Sequence, residues 1–460
     1  MKPKIVLLNP PGSLRYQRDS YCSFVARGRA YFLPFDLLIQ SGYLYGRAEL
    51  LVIDAIVGGL NRETVISMMK NFKPDAVISI TGIASLPEDM DFFRYLKQEL
   101  PLTKLFLSGG CLLTNPSEYL DDYPFIDGIL ADFFNGEVLG VLENPEGSFC
   151  SIALPGRMSS GNPARVLSYP VPRHELFPLG KYHLPHSLHS PITRVNASFG
   201  CPYKCNFCIF TLTKFRLRDR DNFFEELDYI KSLNIRELFL GDQNFGIPAE
   251  HYRSICEGLL SRKYKFSWIT ALRADMVTPD FARLMKAAGC HTVQIGVESA
   301  SDEILKLNNK NITVKTLKEG ISTCKKAGLS VLVHIIFGLP GETDETARST
   351  IKFLKEVKPD YAAINIAVPI RGTELERLSM EKGLIKEKVK QMDQSFSQPV
   401  ISLSGLSPEK LREYVKTAFR QYYFSPSYLF GRILAIKTPY QLENMLYEGY
   451  SLFKNYMKRF

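Results

Sequence analysis

Short apolar runs separated by amphipathic segments fill the first 150 residues. The runs are rich in Val, Ile and Leu, which is typical of parallel strands buried on both faces. The segments between them have the periodicity of helices that cover such a sheet. This alternation predicts a Rossmann-like, doubly wound domain over residues 1–150, whose ligand lies beyond the carboxyl ends of the strands. The predicted strands are residues 4–9, 50–55, 76–81, 104–109 and 127–131.

Residues 151–190 have no regular period because six prolines interrupt them. We therefore predict a Pro-rich linker between two domains. It carries His183, His186 and His189. A three-residue spacing brings side chains together only on a helix, which the prolines disfavour. The spacing therefore favours polar residues on a solvated linker over metal ligands.

A second alternating series begins at residue 191 and supplies six further strand-like runs. Six strand–helix repeats predict a partial (β/α)6 barrel of the TIM type over residues 191–390. The active site of such a barrel opens at the carboxyl ends of its strands, so functional residues are expected directly after each run. The predicted strands are residues 192–198, 236–242, 265–272, 291–297, 330–338 and 361–368.

Residues 391–460 show helical periods without strand-like runs, and a helix is expected to begin near Pro408. Tyr and Phe are interleaved with Lys and Arg in this C-terminal helical region. Such a mixture is typical of a surface that contacts a membrane. The alternative is a helical cap on the barrel with a solvated outer face.

Composition places the chain among folded enzymes of two or three domains. A chain of 460 residues exceeds the usual size of one hydrophobic core. A hydrophobic fraction of 45% and a charged fraction of 23% exclude disordered and fibrous classes. No apolar run is long enough to span a membrane, and no signal-peptide core develops before Pro10. We expect a cytoplasmic protein, with peripheral membrane contact through the C-terminal region as a further expectation.

Three of the nine cysteines, Cys201, Cys205 and Cys208, follow the first predicted barrel strand. A structural zinc site normally has four ligands, and no second Cys pair occurs in the sequence. Three closely spaced thiolates instead suit an iron–sulfur cluster in which one iron keeps an open position. The alternative is a zinc-stabilised RNA-binding protein, whose net charge of +9 would meet phosphate.

The Cys-x-x-x-Cys-x-x-Cys spacing, with Phe207 before the last Cys, resembles the signature of the radical S-adenosylmethionine (SAM) enzymes. The resemblance implies that the three cysteines hold a [4Fe-4S] cluster whose open iron binds SAM. It also implies that reduction of the cluster cleaves SAM to a 5′-deoxyadenosyl radical. Phe207 is then expected to pack near the adenine. An electron donor such as flavodoxin or ferredoxin is implied as a partner.

Further segments follow in the order of that family. The resemblance implies that Gly241, Asp242 and Gln243, after the second strand, contact the methionyl amine of SAM. It also implies that Glu298 and Ser299, after the fourth strand, contact the ribose and methionine parts of SAM. Arg273, after the third strand, is a candidate partner for a carboxylate, with an ordinary salt bridge as the alternative. The expected SAM contacts besides Phe207 and Arg273 are Gly241, Asp242, Gln243, Glu298 and Ser299.

Residues 1–150 resemble the cobalamin-binding domain of one radical SAM subgroup, to which anaerobic magnesium-protoporphyrin ester cyclase and hopanoid methylases belong. The segments after the fifth and sixth barrel strands, residues 338–343 and 369–373, also match that subgroup. The sequence lacks the Asp-x-His-x-x-Gly motif, so no histidine is available as the lower ligand of cobalt. The expected cobalamin contacts are Ser79, Thr81, Ser108, Gly109 and Gly110.

The resemblance implies a radical SAM enzyme that activates a C–H bond of a small molecule, with cobalamin-dependent C-methylation as the first hypothesis. Cyclisation, rearrangement, dehydrogenation or C–C coupling without methyl transfer is the alternative within the class. The aromatic C-terminal region favours an apolar lipid or isoprenoid substrate. We expect no nucleic-acid partner, since no clustered basic face is evident.

Overall fold

The chain folds around two sheets of mainly parallel strands, followed by three helices. A computed structural model describes residues 1–19, 23–26, 28, 30–159, 161, 164–385, 401, 403, 406–436 and 438–459. All eleven strands expected from the apolar runs are present there. Most runs supply consecutive buried side chains, as a sheet between helical layers requires. In the strands at 330–337 and 361–366, buried and half-buried side chains alternate.

The first sheet comes from the amino-terminal series. In it β4, β1, β5, β6 and β7 are neighbours in that order and parallel, and β8 closes one edge antiparallel to β7. Side chains of β1 point alternately into two hydrophobic clusters, one against α1 and α6 and the other against α3 and α4. The elements are β1 (Lys4–Asn9), β2 (Tyr16–Arg18), β3 (Ser23–Val25), α1 (Phe35–Leu44), β4 (Glu49–Asp54), α2 (Ala55–Gly58), α3 (Arg62–Phe72), β5 (Ala76–Ile80), α4 (Leu86–Glu99), β6 (Lys104–Ser108), α5 (Pro116–Asp122), β7 (Gly128–Leu130), α6 (Glu137–Glu143), β8 (Ile152–Ala153) and β9 (Val166–Leu167).

A short hairpin of β2 and β3, which the sequence pattern did not predict, lies over the carboxyl edge of the first sheet. The backbone N–H of Ala84 donates to Ser23 Oγ at 3.0 Å. The fully buried Arg18 pairs with Asp89 at 2.6 Å and donates to Asn9 Oδ1 at 3.0 Å. A buried cation with a paired carboxylate fixes the hairpin on this edge.

The second sheet has six parallel strands in chain order, β10, β13, β14, β15, β16 and β17. The largest hydrophobic cluster fills the space between these strands and their helices. The elements are β10 (Ile192–Val195), β11 (Ser198–Phe199), β12 (Arg216–Arg218), α7 (Arg220–Ser232), β13 (Glu237–Leu240), α8 (Ala249–Ser261), β14 (Ser267–Leu272), α9 (Pro279–Ala287), β15 (Cys290–Glu298), α10 (Asp302–Leu307), α11 (Val314–Lys326), β16 (Ser330–Phe337), α12 (Asp344–Val357), β17 (Tyr361–Ile366) and α13 (Glu374–Glu381).

The segment between the sheets is irregular, as expected, and His189 is exposed, but the other two predicted solvated histidines are not. His183 and His186 are buried, so the prediction of a solvated linker is wrong for them. His183 hydrogen-bonds to Tyr440 at 3.0 Å, and the His186 ring packs 5.6 Å from the Tyr361 ring. Burial lowers the pKa of His186 to about 3. The segment packs against the second sheet. This packing buries polar side chains that the sequence predicted to lie in solvent.

Three helices complete the described chain: α14 (Pro408–Tyr423), α15 (Pro426–Leu434) and α16 (Pro439–Arg459). Helix α14 packs on β17, where the Tyr423 hydroxyl donates to the carbonyl of Ala362 at 2.7 Å. In the described residues, no helix combines the length and apolar character needed to cross a bilayer.

Candidate functional site

The three cysteines lie on the loop between β11 and β12, directly beyond the first strand of the second sheet. Gly200 starts this cysteine loop with a φ of +82°, where a Cβ would lie 2.5 Å from the carbonyl oxygen of Lys214. A larger residue at this position would therefore displace the loop. The glycine lets the chain turn sharply enough to present Cys201, Cys205 and Cys208 in succession.

Neighbouring loops anchor the middle of the cysteine loop. The backbone N–H of Asn206 donates to the carbonyl of Asn308 at 3.1 Å. The carbonyl of Asn206 accepts from the backbone N–H of Leu375 at 2.8 Å. The loop is therefore held by the regions after β15 and β17, which fixes the thiols relative to the sheet.

The thiols lie in a partly buried environment with cations nearby. Cys205 is buried, while Cys201 and Cys208 are half-buried. Burial raises the pKa of Cys201 and Cys205, and the positive charges of Lys310 and Arg273 act against that rise. No three His, Cys, Asp or Glu side chains of the described residues are gathered to hold a single metal ion.

Asp242 supports the chain that leads into the cysteine loop. It is buried after β13 and accepts hydrogen bonds from the backbone N–H of Ala197 at 3.0 Å, Ser198 Oγ at 2.6 Å and Tyr252 Oη at 2.8 Å. Burial raises its pKa, and the three donors act against the rise. Its oxygens are used within the protein, so Asp242 positions β11 in this arrangement.

Glu298 forms a buried ion pair at the carboxyl end of β15. Its Oε1 lies 3.0 Å from Lys310 Nζ, and both side chains are less than 10% exposed. Glu298 adopts a φ of +63°, a conformation that costs energy for a residue with a side chain. A Cβ on Gly296 would lie 2.3 Å from Glu298 Oε1, so the glycine leaves room for the carboxylate. Gly296 and the unusual backbone together place a charged pair beside the cysteines.

Arg273 makes its contacts within the protein. Its Nε donates to Asp275 Oδ1 at 3.0 Å, and Nη1 donates to the carbonyl of Lys310 at 3.0 Å. The guanidinium carbon lies 3.8 Å from the centre of the Tyr203 ring. These contacts agree with the salt-bridge alternative and tie the Lys310 loop to the cysteine loop.

The remaining predicted SAM contacts surround the same region. Gln243 and Phe207 line the cavity described below. Gly241 is packed closely, since a Cβ there would lie 2.4 Å from Arg194 Nε. Ser299 Oγ is buried and makes no hydrogen bond within the described part of the chain. A buried hydroxyl without a partner suits a ligand that supplies one.

A cavity of about 560 Å³ opens between the hairpin of β2 and β3, the cysteine loop, strands β16 and β17 and helices α14 and α16. Its wall is largely apolar with a few polar groups, as in many small-molecule sites. The lining includes Phe24, Val25, Phe207, Cys208, Gln243, Glu298, His334, Ile336, Asn365, Phe419, Tyr423 and Glu448.

The predicted cobalamin contacts lie together at the carboxyl edge of the first sheet, but their hydroxyls are used internally. Ser79 Oγ donates to the carbonyl of Leu8 at 3.0 Å, Thr81 Oγ1 donates to Asp89 at 2.7 Å, and Ser108 Oγ donates to Asp36. A Cβ on Gly109 would lie 2.3 Å from the carbonyl oxygen of Thr81, and Gly110 begins a short 3-10 helix. As contacts to cobalamin, these residues stay predictions.

Sequence reasoning missed three polar residues of the site: Lys310, His334 and Asn365. His334 and Asn365 lie on β16 and β17, where they face the cavity instead of following the strand ends. Alternation along those strands could have indicated that their side chains share the inward face with Ile336. Lys310 stands in a polar loop, and nothing in its local pattern points to Glu298.

The segment after β16, residues 338–343, is fixed by a buried acid whose charge depends on pH. Glu342 accepts a hydrogen bond from the backbone N–H of Gly338, and its other oxygen makes no hydrogen bond within the described residues. Burial raises the pKa of Glu342 to about 8. The folded protein therefore keeps this group protonated at pH values where the unfolded chain ionises it.

We expect Glu342 to make the protein less stable as pH rises from about 4.5 to 8, because the unfolded chain loses its proton first. Glu342→Gln keeps an acceptor for Gly338 and should raise the melting temperature at pH 8.5 more than at pH 5. Melting curves at both pH values check this. Glu345→Gln, an exposed neighbour, is the matched control. An equal effect of Glu342→Gln at both pH values would contradict the prediction.

Comparisons with known proteins match the part of the chain that contains the cysteine loop. The family model described as Radical SAM superfamily matches residues 195–354. An uncharacterized methyltransferase of Pyrococcus horikoshii is 26% identical over 86% of this chain and 89% of its own length. The anaerobic magnesium-protoporphyrin IX monomethyl ester cyclase of Rubrivivax gelatinosus is 24% identical over 86% and 74%. The solved structure of the cobalamin-dependent SAM radical enzyme OxsB covers 99% of this chain and 72% of its own, at 16% identity and a TM-score of 0.71, which indicates a shared fold.

Proposed function

We propose that this protein, whose residues 195–354 carry a radical SAM domain, functionalises an unactivated carbon of a small molecule, with C-methylation as the outcome. The observation that carries the proposal is the position of Cys208. This cysteine of the triplet lines the same cavity as Glu298 and Gln243, so a cluster on the loop and a polar cofactor would share one cavity.

The residues present fit a [4Fe-4S] cluster and SAM. Three thiols from one loop are a usual ligand set for such a cluster. The carboxylate of Glu298 and the amide of Gln243 can accept hydrogen bonds from an ammonium or from ribose hydroxyls. Ser299 Oγ, buried without a partner among the described residues, can make a further bond. When bound, the cluster and SAM supply the one-electron chemistry that removes a hydrogen atom from carbon.

The chain's own part is to bind, orient and exclude water. Ile336, Phe419 and Tyr423 contribute apolar surface to the cavity wall, which also carries the polar groups of Glu298 and Gln243. This apolar surface suits the apolar body of a substrate such as a lipid or isoprenoid. Exclusion of water by these side chains protects reactive species from side reactions. We infer that an external one-electron donor, such as flavodoxin or ferredoxin, supplies the reducing equivalents.

Cobalamin is our proposed methyl carrier. The cavity is bounded on one side by Phe24 and Val25 of the hairpin and on the other by Cys208, so a group held there would contact both parts of the chain. The match to a methyltransferase and the fold shared with a cobalamin-dependent enzyme support this assignment. Cobalamin, when bound, supplies a transferable methyl group. The absorption spectrum of protein reconstituted with hydroxocobalamin should show corrinoid retained after gel filtration.

The function is tested by supplying reduced, reconstituted protein with SAM whose methyl group carries deuterium. Formation of 5′-deoxyadenosine together with transfer of the labelled methyl group to a lipid-extract component supports the proposal. The match to a cyclase favours ring formation as the second candidate. Deoxyadenosine with an unlabelled, altered product would favour that candidate, and absence of deoxyadenosine would contradict both.

Glu298→Gln should raise the KM for SAM by about 10- to 100-fold, because it removes a charged acceptor worth about 1.5–3 kcal/mol. Gln keeps the size of the side chain and an oxygen for Lys310. Initial rates of deoxyadenosine formation against SAM concentration check the effect. Glu303→Gln, on the exposed surface of α10, is the matched control. A change in kcat alone would assign Glu298 a different role.

A further inference from the structure

Helix α16 presents its apolar side chains outward and its polar side chains to the protein. Asn444 and Ser451 are buried on the inner side, and Tyr440 bonds to His183. The opposite side carries four large side chains that are 42–63% exposed. These are Leu442, Leu446, Tyr450 and Phe453, which share one face at helical spacing. An ordinary surface helix has the reverse arrangement.

The preceding helix, α15, also carries large apolar side chains that are exposed. On the inner side of α15, Arg432 donates to Tyr361 Oη at 2.6 Å. The large apolar side chains on the outward side of α15 are 48–68% exposed. These side chains belong to Leu429, Phe430, Ile433 and Leu434. We call these four residues, together with the four exposed apolar residues of α16, the outer face. So many large apolar groups on two consecutive helices mark an interaction surface, since scattered exposed residues do not cluster in this way.

The charge of this region indicates what the outer face meets. Residues 408–460 contain nine Lys and Arg and four Glu, so they hold more than half of the chain's net charge of +9. Lys454 lies 5.9 Å from the centre of the exposed Tyr450 ring. Cations and tyrosines around an apolar face are typical of helices that lie in a membrane interface. Two copies of this chain would instead bring like charges together.

We propose that the outer face docks on the surface of a lipid bilayer that contains anionic lipids. The helices would lie in the interfacial plane, with the eight apolar side chains among the acyl chains and the basic residues at the headgroups. Glu448 of α16 and Tyr423 of α14 line the cavity, so docking sets the cavity close to the bilayer. The proposal does not rest on the reaction that the site performs.

Flotation of the full, reconstituted chain with vesicles tests the proposal. Vesicles of phosphatidylcholine with one quarter phosphatidylglycerol should carry the protein to the top of the gradient, and phosphatidylcholine alone should carry much less. The double variant F430D/L446D should lower binding at least tenfold. Leu102→Asp makes the same type of change at a site that is 92% exposed in the first part of the chain, and it should bind as wild type does.

Melting curves and light scattering accompany the flotation to exclude unfolding and self-association. Folded F430D/L446D protein that floats as well as wild type would overturn the proposal, as would wild-type protein that binds neither kind of vesicle. A dimer that the double variant dissociates, without vesicle binding by the wild type, would assign the outer face to a second copy. Equal flotation with and without phosphatidylglycerol would overturn the anionic requirement.

Discussion

Replacing any one of Cys201, Cys205 and Cys208 by Ala should reduce 5′-deoxyadenosine formation to the level of a reaction without protein. A cluster with one open iron has no spare thiolate, so two remaining cysteines cannot retain it in a productive form. Iron content and the absorption of the cluster should fall in parallel. The measurement is anaerobic reconstitution of each variant, followed by iron and deoxyadenosine assays in the same sample.

Cys150→Ala is the matched control for the cysteine variants. This cysteine is exposed and lies outside the second sheet, so its replacement should leave iron content and turnover unchanged. Melting temperatures of the apo-proteins distinguish loss of ligands from loss of fold. A triplet variant that keeps full iron and full turnover would remove that cysteine from the site.

Asp242→Ala should have the second largest effect, although Asp242 does not face the cavity. The change leaves the N–H of Ala197 and the hydroxyl of Ser198 without their acceptor in a buried environment, while Tyr252 Oη keeps its hydrogen bond to Ser198 Oγ at 2.7 Å. Each lost partner costs about 1–3 kcal/mol, so we expect at least about 2 kcal/mol of destabilisation. The apparent melting temperature should fall by roughly 4–8 °C, the shift for an unfolding unit of about 200 residues. Because β11 leads into the cysteine loop, iron retention should fall as well.

Two comparisons separate positioning from general destabilisation. Asp242→Asn keeps the shape and one acceptor oxygen, so it should recover part of the melting temperature and part of the iron content. Asp221→Ala removes an exposed carboxylate from α7 and should change neither. An Asp242→Ala protein that retains iron and deoxyadenosine formation while melting lower would show that Asp242 is structural only.

The sequence predicted the strands well because each buried parallel strand requires a continuous apolar run, which is visible locally. Short elements were missed for the same reason. The hairpin of β2 and β3 has three residues in each strand, and β8 has two, so neither produces a pattern. Their positions depend on contacts with distant residues, such as that between Ser23 and Ala84. His183 and His186 are buried through similar long-range packing.

The cysteine loop could be predicted because its three cysteines lie within eight residues of one another. The residues that support the cysteine loop could not be predicted from the sequence. The resemblance implied that Asp242 contacts SAM, and this stays a prediction. Its oxygens also bond to Ser198 and Tyr252, which only the folded chain brings near. Lys310 is separated from Glu298 by a helix and has no local signal. Residues that come together only when the chain folds have no characteristic spacing in the sequence.

The proposal that the cysteine loop holds a cluster with one open iron is tested most directly by the electron paramagnetic resonance spectrum of the reconstituted, reduced protein with and without SAM. We predict the signal of one [4Fe-4S] cluster per chain, with g values that shift when SAM binds the open iron. A cluster signal unaffected by SAM, or stoichiometric zinc in place of iron at the cysteine loop, would contradict it.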